Sequence, residues 1–194
     1  MNSQPSANIL VVDDMEANRE LLSRHLKRAG YQVETASGGI EALKMISSES
    51  FDLVLLDIMM PELDGFIVLE SLRKHYQASD LAVIMISAID NSAEIVKALG
   101  LGANDYITKP FDVKIMLSRV SIQLNSGSLY KQLQLSEERY KLAFSASNDG
   151  LWDWNIKSGT VFYSDRWREM MGLANNVQLD SIEQWFDTVY PDDV

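Results

Sequence analysis

Several short stretches of this chain are apolar at consecutive positions, and this constrains its fold more than any other feature. They are Asn8–Val12 (NILVV), Asp52–Leu56 (DLVLL) and Leu81–Ile86 (LAVIMI), with the more amphipathic Tyr31–Ala36 and Asp105–Thr108. Neighbouring side chains of a strand point to opposite faces, so runs such as VLL and VIMI need apolar cover on both sides. The cover is encoded between them, where apolar residues recur at helical spacing: Leu21, Leu22, Leu26 and Ala29; Ile40, Leu43 and Ile46; Phe66, Leu69 and Leu72; Ile95, Val96 and Leu99; Val113, Met116, Leu117 and Val120. Five strands alternating with five helices predict an α/β domain over residues 8–124 with a five-stranded, doubly wound parallel sheet and right-handed crossovers. Residues 1–7 read as a flexible tail. Gly30 and Gly100 stand where helix C-caps are expected.

Ligands of open α/β sheets bind outside the carboxyl ends of the strands. Asp13 and Asp14 end the first apolar run, Asp57 the third and Ser87 the fourth, and Lys109 follows the fifth. Three carboxylates, a hydroxyl and an ammonium are thereby directed to one edge of the sheet. Clustered carboxylates repel one another unless a cation neutralises them, and an all-oxygen set suits Mg²⁺. With the metal bound, one carboxylate can attack phosphorus, while Ser87 and Lys109 hold the phosphoryl oxygens. Taken singly, Asp14 reads equally well as a helix cap, Lys109 as a solvated lysine and Tyr106 as ordinary packing.

The stretches VVDD at 11–14, LVLLDIMMPELDG at 53–65, VIMISA at 83–88 and GANDYITKPF at 102–111 resemble the receiver domains of two-component response regulators, in the same order and spacing. That family has a flavodoxin-like fold. The resemblance implies that Asp57 is the phospho-acceptor, that Asp13, Asp14, Asp57 and the carbonyl of Met59 serve Mg²⁺, that Ser87 and Tyr106 are switch residues, and that Lys109 pairs with the phosphate. It implies phosphate supply by a histidine kinase and favours a cis Lys109–Pro110 bond. The positions second after the acceptor and second after the switch hydroxyl are Met59 and Ile89, neither able to orient an attacking water, so slow self-dephosphorylation is expected. An Asp-nucleophile phosphohydrolase, the alternative enzyme, would resemble a D-x-D pattern, and its second Asp is replaced here by Met59. A ligand-sensing module with a scaffold receiver is the other alternative; the intact Asp, Ser and Lys set argues against it.

After Leu124 the pattern changes. Asn125-Ser126-Gly127-Ser128 reads as a local break, and the linker helix over 125–145 reads either as separate from the preceding helix or as continuous with it through a weakened turn at Gly127. Residues 146–194 read as a hairpin across Ile156–Gly159, then short helices over Asp165–Met171 and Ser181–Val189. From residue 136 the chain resembles the opening half of a PAS domain. Its later strands are absent, so the sequence is expected to be a piece of a longer protein. Trp152, Trp154, Trp167 and Trp185 are candidates for its core or for a pocket whose ligand is unknown. Val113, Met116, Leu117, Val120 and Leu124 follow a 3/4 spacing beyond what one sheet flank needs, which predicts a homodimer face with Lys97, Asp105 and Arg119 as its charged pairs.

The net charge of −11 divides into −6 for residues 1–125 and −5 for the rest, with no basic stripe, so direct nucleic-acid binding is not expected. The chain has no cysteine and no apolar run of membrane-spanning length. A cytoplasmic location, with no membrane partner, is the expectation.

Overall fold

The computed structural model describes residues 7–88, 92–147 and 149–173. Five strands, β1 (Asn8–Val12), β2 (Gln32–Ala36), β3 (Leu53–Asp57), β4 (Ala82–Ser87) and β5 (Asp105–Thr108), form one parallel sheet in the order β2-β1-β3-β4-β5. Between and after them run α1 (Glu16–Arg28), α2 (Gly39–Ser48), α3 (Gly65–Arg73), α4 (Ser92–Gly100) and α5 (Val113–Ser147). Alternate residues of the central strands separate two cores, as their double-sided apolar character requires. Leu10, Val12, Val54, Leu56, Val83 and Met85 pack beneath α2, α3 and α4. Ile9, Val11, Leu53, Leu55, Ile84 and Ile86 pack beneath α1 and α5. The edge strand β2 is only partly covered, in keeping with its amphipathic sequence.

Local details position the sheet edge that matters. The positive φ that turns the chain from α4 into β5 is at Gly102, not at Gly100, which is the last residue of α4 itself. Gly65 opens α3 so close to β3 that a Cβ there would overlap the Asp57 carbonyl oxygen, so only glycine allows the approach. Lys109–Pro110 is cis. At the opposite edge Arg73 ties three elements together: Nε donates to the Gly102 carbonyl (2.7 Å), Nη1 to Leu81 (3.1 Å) and Nη2 to Asn104 Oδ1 (2.9 Å).

Of the two readings of 125–128, a break or a continuous helix, the continuous one holds, and the expected dimer face on α5 is corrected. The helix runs unbroken for 35 residues, because one glycine costs only about 1 kcal/mol in a helix and its neighbours supply the remaining hydrogen bonds. This part of the helix lies against the receiver body: a Cβ on Gly127 would meet the Ser79 carbonyl oxygen at an ordinary contact distance of 3.5 Å, so the position does not demand glycine, and Lys131 beyond it reaches Asp52 at 3.4 Å. Met116 and Val120, expected on a dimer face, are fully buried in the core beneath the sheet, with Val113, Leu117 and Leu124 packed around them. One sheet flank does consume the whole 3/4 pattern. The expected charged pairs are also engaged within the protomer: Arg119 with Asp105 at 2.6 Å, and Lys97 over the Phe66 ring at 4.0 Å.

Compact packing divides the chain into Met1–Leu133 and Gln134–Val194. In the second unit β6 (Trp152–Trp154) and β7 (Val161–Tyr163) form an antiparallel hairpin, followed by α6 (Asp165–Met170), whose cap Ser164 accepts from the Trp167 N–H. Val161, Tyr163 and Trp167 form a small core, with the Tyr163 and Trp167 rings stacked at 4.2 Å. Trp152 and Trp154 are substantially exposed and join no core among the described residues. Of the expected tail, residues 1–6 fall outside the described residues, as do the helix over 181–189 and Trp185, while Ala7 is tied to β2 through its carbonyl, which accepts from the Gln32 N–H at 3.0 Å.

Met116→Ala should cost about 2–5 kcal/mol by denaturant unfolding. Exposed Lys114→Ala, two residues earlier, should change stability by less than about 0.5 kcal/mol. Equal losses would contradict the assignment of Met116 to the core.

Candidate functional site

The order of the sheet reverses direction between β1 and β3, and this is where crevices open in such folds. Register makes the strand ends level: Val12 lies opposite Leu56, Asp57 opposite Ile86, and Ser87 opposite Thr108. Asp13, Asp57, Ser87 and Lys109 therefore come to one edge because each strand ends at the same height.

Carboxylate oxygens of Asp13, Asp14 and Asp57 lie within 4.8 Å of one another; Asp13 and Asp57 are buried and Asp14 is exposed. Lys109 Nζ bridges the two buried carboxylates, 2.9 Å from Asp13 Oδ2 and 3.1 Å from Asp57 Oδ2. The Lys109 N–H also donates to the Ser87 carbonyl at 2.6 Å, fixing the loop that delivers the ammonium. Burial pushes the Asp57 carboxyl above its ordinary range, more than the Lys109 hydrogen bond and charge pull it down, and the Asp13 charge adds to the rise. Burial works against the Lys109 ammonium, yet the hydrogen bonds and charges of Asp13 and Asp57 outweigh it and hold its pKa above the ordinary lysine range. Three carboxylates against one bridging ammonium leave negative charge over, which is the environment that an oxygen-ligated divalent cation fits.

The other expected site residues are placed as follows. Ser87 is fully buried at the end of β4, and Tyr106 is buried on β5 among the side chains beneath α3 and α4. The Met59 side chain is exposed just past Asp57. Ile89 lies outside the described residues.

Two residues near Asp13 were not anticipated. Asn18 Nδ2 lies 3.0 Å from both Asp13 carboxylate oxygens, and Arg19 Nη1 donates to the carbonyls of Asp13 (2.7 Å) and Asp14 (3.0 Å). The Met15 N–H donates to Asp13 Oδ1 at 2.9 Å. The available signal was their position in the first turn of α1, which faces back toward the end of β1. A polar residue there reads as ordinary helix surface until the turn geometry is known.

Comparison with known proteins agrees with this arrangement. The response regulator receiver domain family model matches residues 9–121. The response regulator MprA of Mycobacterium ulcerans is 44% identical over 124 residues, covering 64% of this chain and 53% of that protein. The DNA-binding dual master transcriptional regulator RpaA of Synechocystis is 40% identical over 112 residues, covering 58% of this chain and 46% of that protein. The chain thus spans about half the length of the curated relatives it matches. The solved receiver domain of a Francisella response regulator superposes with a TM-score of 0.59 at 32% identity, covering 62% of this chain and 98% of that one. With the family model matched across the whole sheet and its site edge, the chain belongs to the response regulator receiver domain family.

Proposed function

We propose that this receiver is a phosphorylation switch in which Asp57 takes a phosphoryl group from the phosphohistidine of a histidine kinase or from a small phosphodonor. The observation that carries this reading is the Lys109 bridge between Asp13 and Asp57, beside a third carboxylate on Asp14. An Asp57 oxygen attacks phosphorus as the bond to the donor breaks, and the leaving group departs with the electron pair. Mg²⁺ held by Asp13, Asp14, Asp57 and the Met59 carbonyl would supply charge neutralisation for the transferring group. Lys109 moves its interaction from the Asp57 carboxylate to a phosphoryl oxygen, Ser87 holds another, and Tyr106 reports the change on β5. Chemistry of this kind is a switch and not turnover.

Residues 136–194 are read as the start of a PAS-like region through which the receiver acts on an effector. The hairpin, the capped α6 and the Tyr163–Trp167 stack support this reading. The acidic charge makes direct contact with nucleic acid by this stretch unfavourable. No described helix is long and apolar enough to cross a membrane.

Acetyl phosphate should label the protein once, with Mg²⁺ required, and Asp57→Asn should abolish the label by intact-mass measurement. Labelling of the variant at the wild-type rate would reject the assignment.

Because the folded pKa of Asp57 is raised, its stabilising contribution is complete below the ordinary carboxylate pKa and is lost as pH rises through the folded value. Near neutral pH, metal-free Asp57→Asn should therefore melt higher than wild type. Mg²⁺ should raise the wild-type melting temperature, by about 2.7 kcal/mol of added stability at a hundredfold excess over its dissociation constant. The variant should lose most of that response.

Phosphorylated wild type should decay slowly, and Met59→Asn combined with Ile89→Glu should hasten the decay by orienting water. An unchanged half-life in the double variant would show that these side chains do not set the rate.

A further inference from the structure

Asp13 is more fully hydrogen-bonded than an open metal ligand would be. It is 1% exposed, and a carboxylate offers about four lone-pair directions. The Met15 N–H takes one on Oδ1 at 2.9 Å, and the Lys109 ammonium takes one on Oδ2 at 2.9 Å. Asn18 Nδ2 lies 3.0 Å from each oxygen, so one nitrogen spans both acceptors and engages the directions that remain. A divalent cation drawing on Asp13 must therefore take the place of a donor.

The three donors differ in how readily they withdraw. The Met15 N–H is backbone at the cap of α1, and its position follows from the course of the chain. Lys109 is charged, which makes its hydrogen bonds the stronger ones, and it also holds Asp57 at 3.1 Å. Asn18 is neutral and half-buried, so water can take up its amide when it leaves Asp13. Arg19 meanwhile clamps the carbonyls of Asp13 and Asp14 at 2.7 and 3.0 Å, which keeps the loop in place whatever the Asn18 side chain does.

We propose that Asn18 is a positioning residue that competes with the divalent cation for Asp13. Its amide holds the carboxylate in the metal-free receiver, where three carboxylates crowd together, and gives way when Mg²⁺ is bound. The inference rests on the reading of Asp13, Asp14 and Asp57 as the Mg²⁺ site. A hydrogen bond made only without metal stabilises only the metal-free state, so Asn18 sets Mg²⁺ affinity lower than the carboxylates alone would give.

Calorimetric titration of the full 194-residue chain with MgCl₂, with no phosphodonor present, separates this role from a merely structural one. Asn18→Ala should bind Mg²⁺ roughly three- to tenfold more tightly than wild type, the worth of one hydrogen bond, while its metal-free melting temperature falls. Asn18→Leu, close to asparagine in size and without a donor, should do the same. A residue that only supports the loop would lower affinity and stability together, and that result, or an unchanged affinity, overturns the proposal. In wild type, which needs no substitution, the side-chain amide protons of Asn18 should move upfield in NMR spectra as Mg²⁺ saturates the site. Amide shifts that keep their metal-free values at saturation overturn the proposal as well. Absence of any Mg²⁺ binding to wild type would overturn the cation site itself and this proposal with it, a result distinct from normal binding that Asn18 does not influence.

Discussion

Two buried carboxylates, Asp13 and Asp57, share one ammonium, and the rest of the receiver is arranged around keeping that uneven sharing in place. Neither carboxylate has water enough to disperse its charge, and Lys109 can compensate only part of it. The Asp57 carboxyl is raised by burial while Lys109 is held protonated, so the site is rich in negative charge and poised for a cation. Asn18, the Met15 N–H and Arg19 occupy the remaining lone pairs around Asp13 and hold the loop after β1. The preorganisation lies in this shell of donors as much as in the carboxylates themselves.

A sheet covered on both faces is what can hold such a site. Its central strands are stiff because every side chain is packed, so their ends cannot drift to relieve repulsion between carboxylates. Gly65 lets α3 begin directly against the end of β3, closing the floor beneath Asp57. At the other edge, Arg73 and Asn104 join α3, β4 and the turn before β5, with Asn104 Oδ1 also accepting from the Val83 N–H at 2.9 Å. The starts of β4 and β5 are thereby anchored. The Tyr106 ring on β5 sits within the same packed layer.

Helix α5 belongs to two environments along one axis. Its sheet-facing side is core through Leu124 and remains close to the receiver at Gly127 and Lys131. The helix then continues to Ser147 without a break. A helix with apolar residues on opposite sides has no single hydrophobic face, which is why reading its 3/4 spacing as one surplus seam misassigned Met116 and Val120. The buried seam is complete within the protomer.

The sequence by itself determined the strand runs, the helix spacing between them and the polar residues closing each strand, because period-two and period-3.6 patterns are local and each strand's last residue can be read directly. From these follow the sheet and the edge to which Asp13, Asp14, Asp57, Ser87 and Lys109 are brought. Tertiary structure alone decided three matters. It chose which apolar side of α5 is core, since the same spacing serves a sheet or a partner helix equally. It decided between the two readings of Asn125–Ser128 in favour of an unbroken helix, since the weak local propensity there permits either and only the folded chain shows which is adopted. It also brought Asn18 and Arg19 onto Asp13 and the loop after it, because a hydrogen bond between a turn and the helix that follows depends on where the chain bends, which no residue pattern specifies.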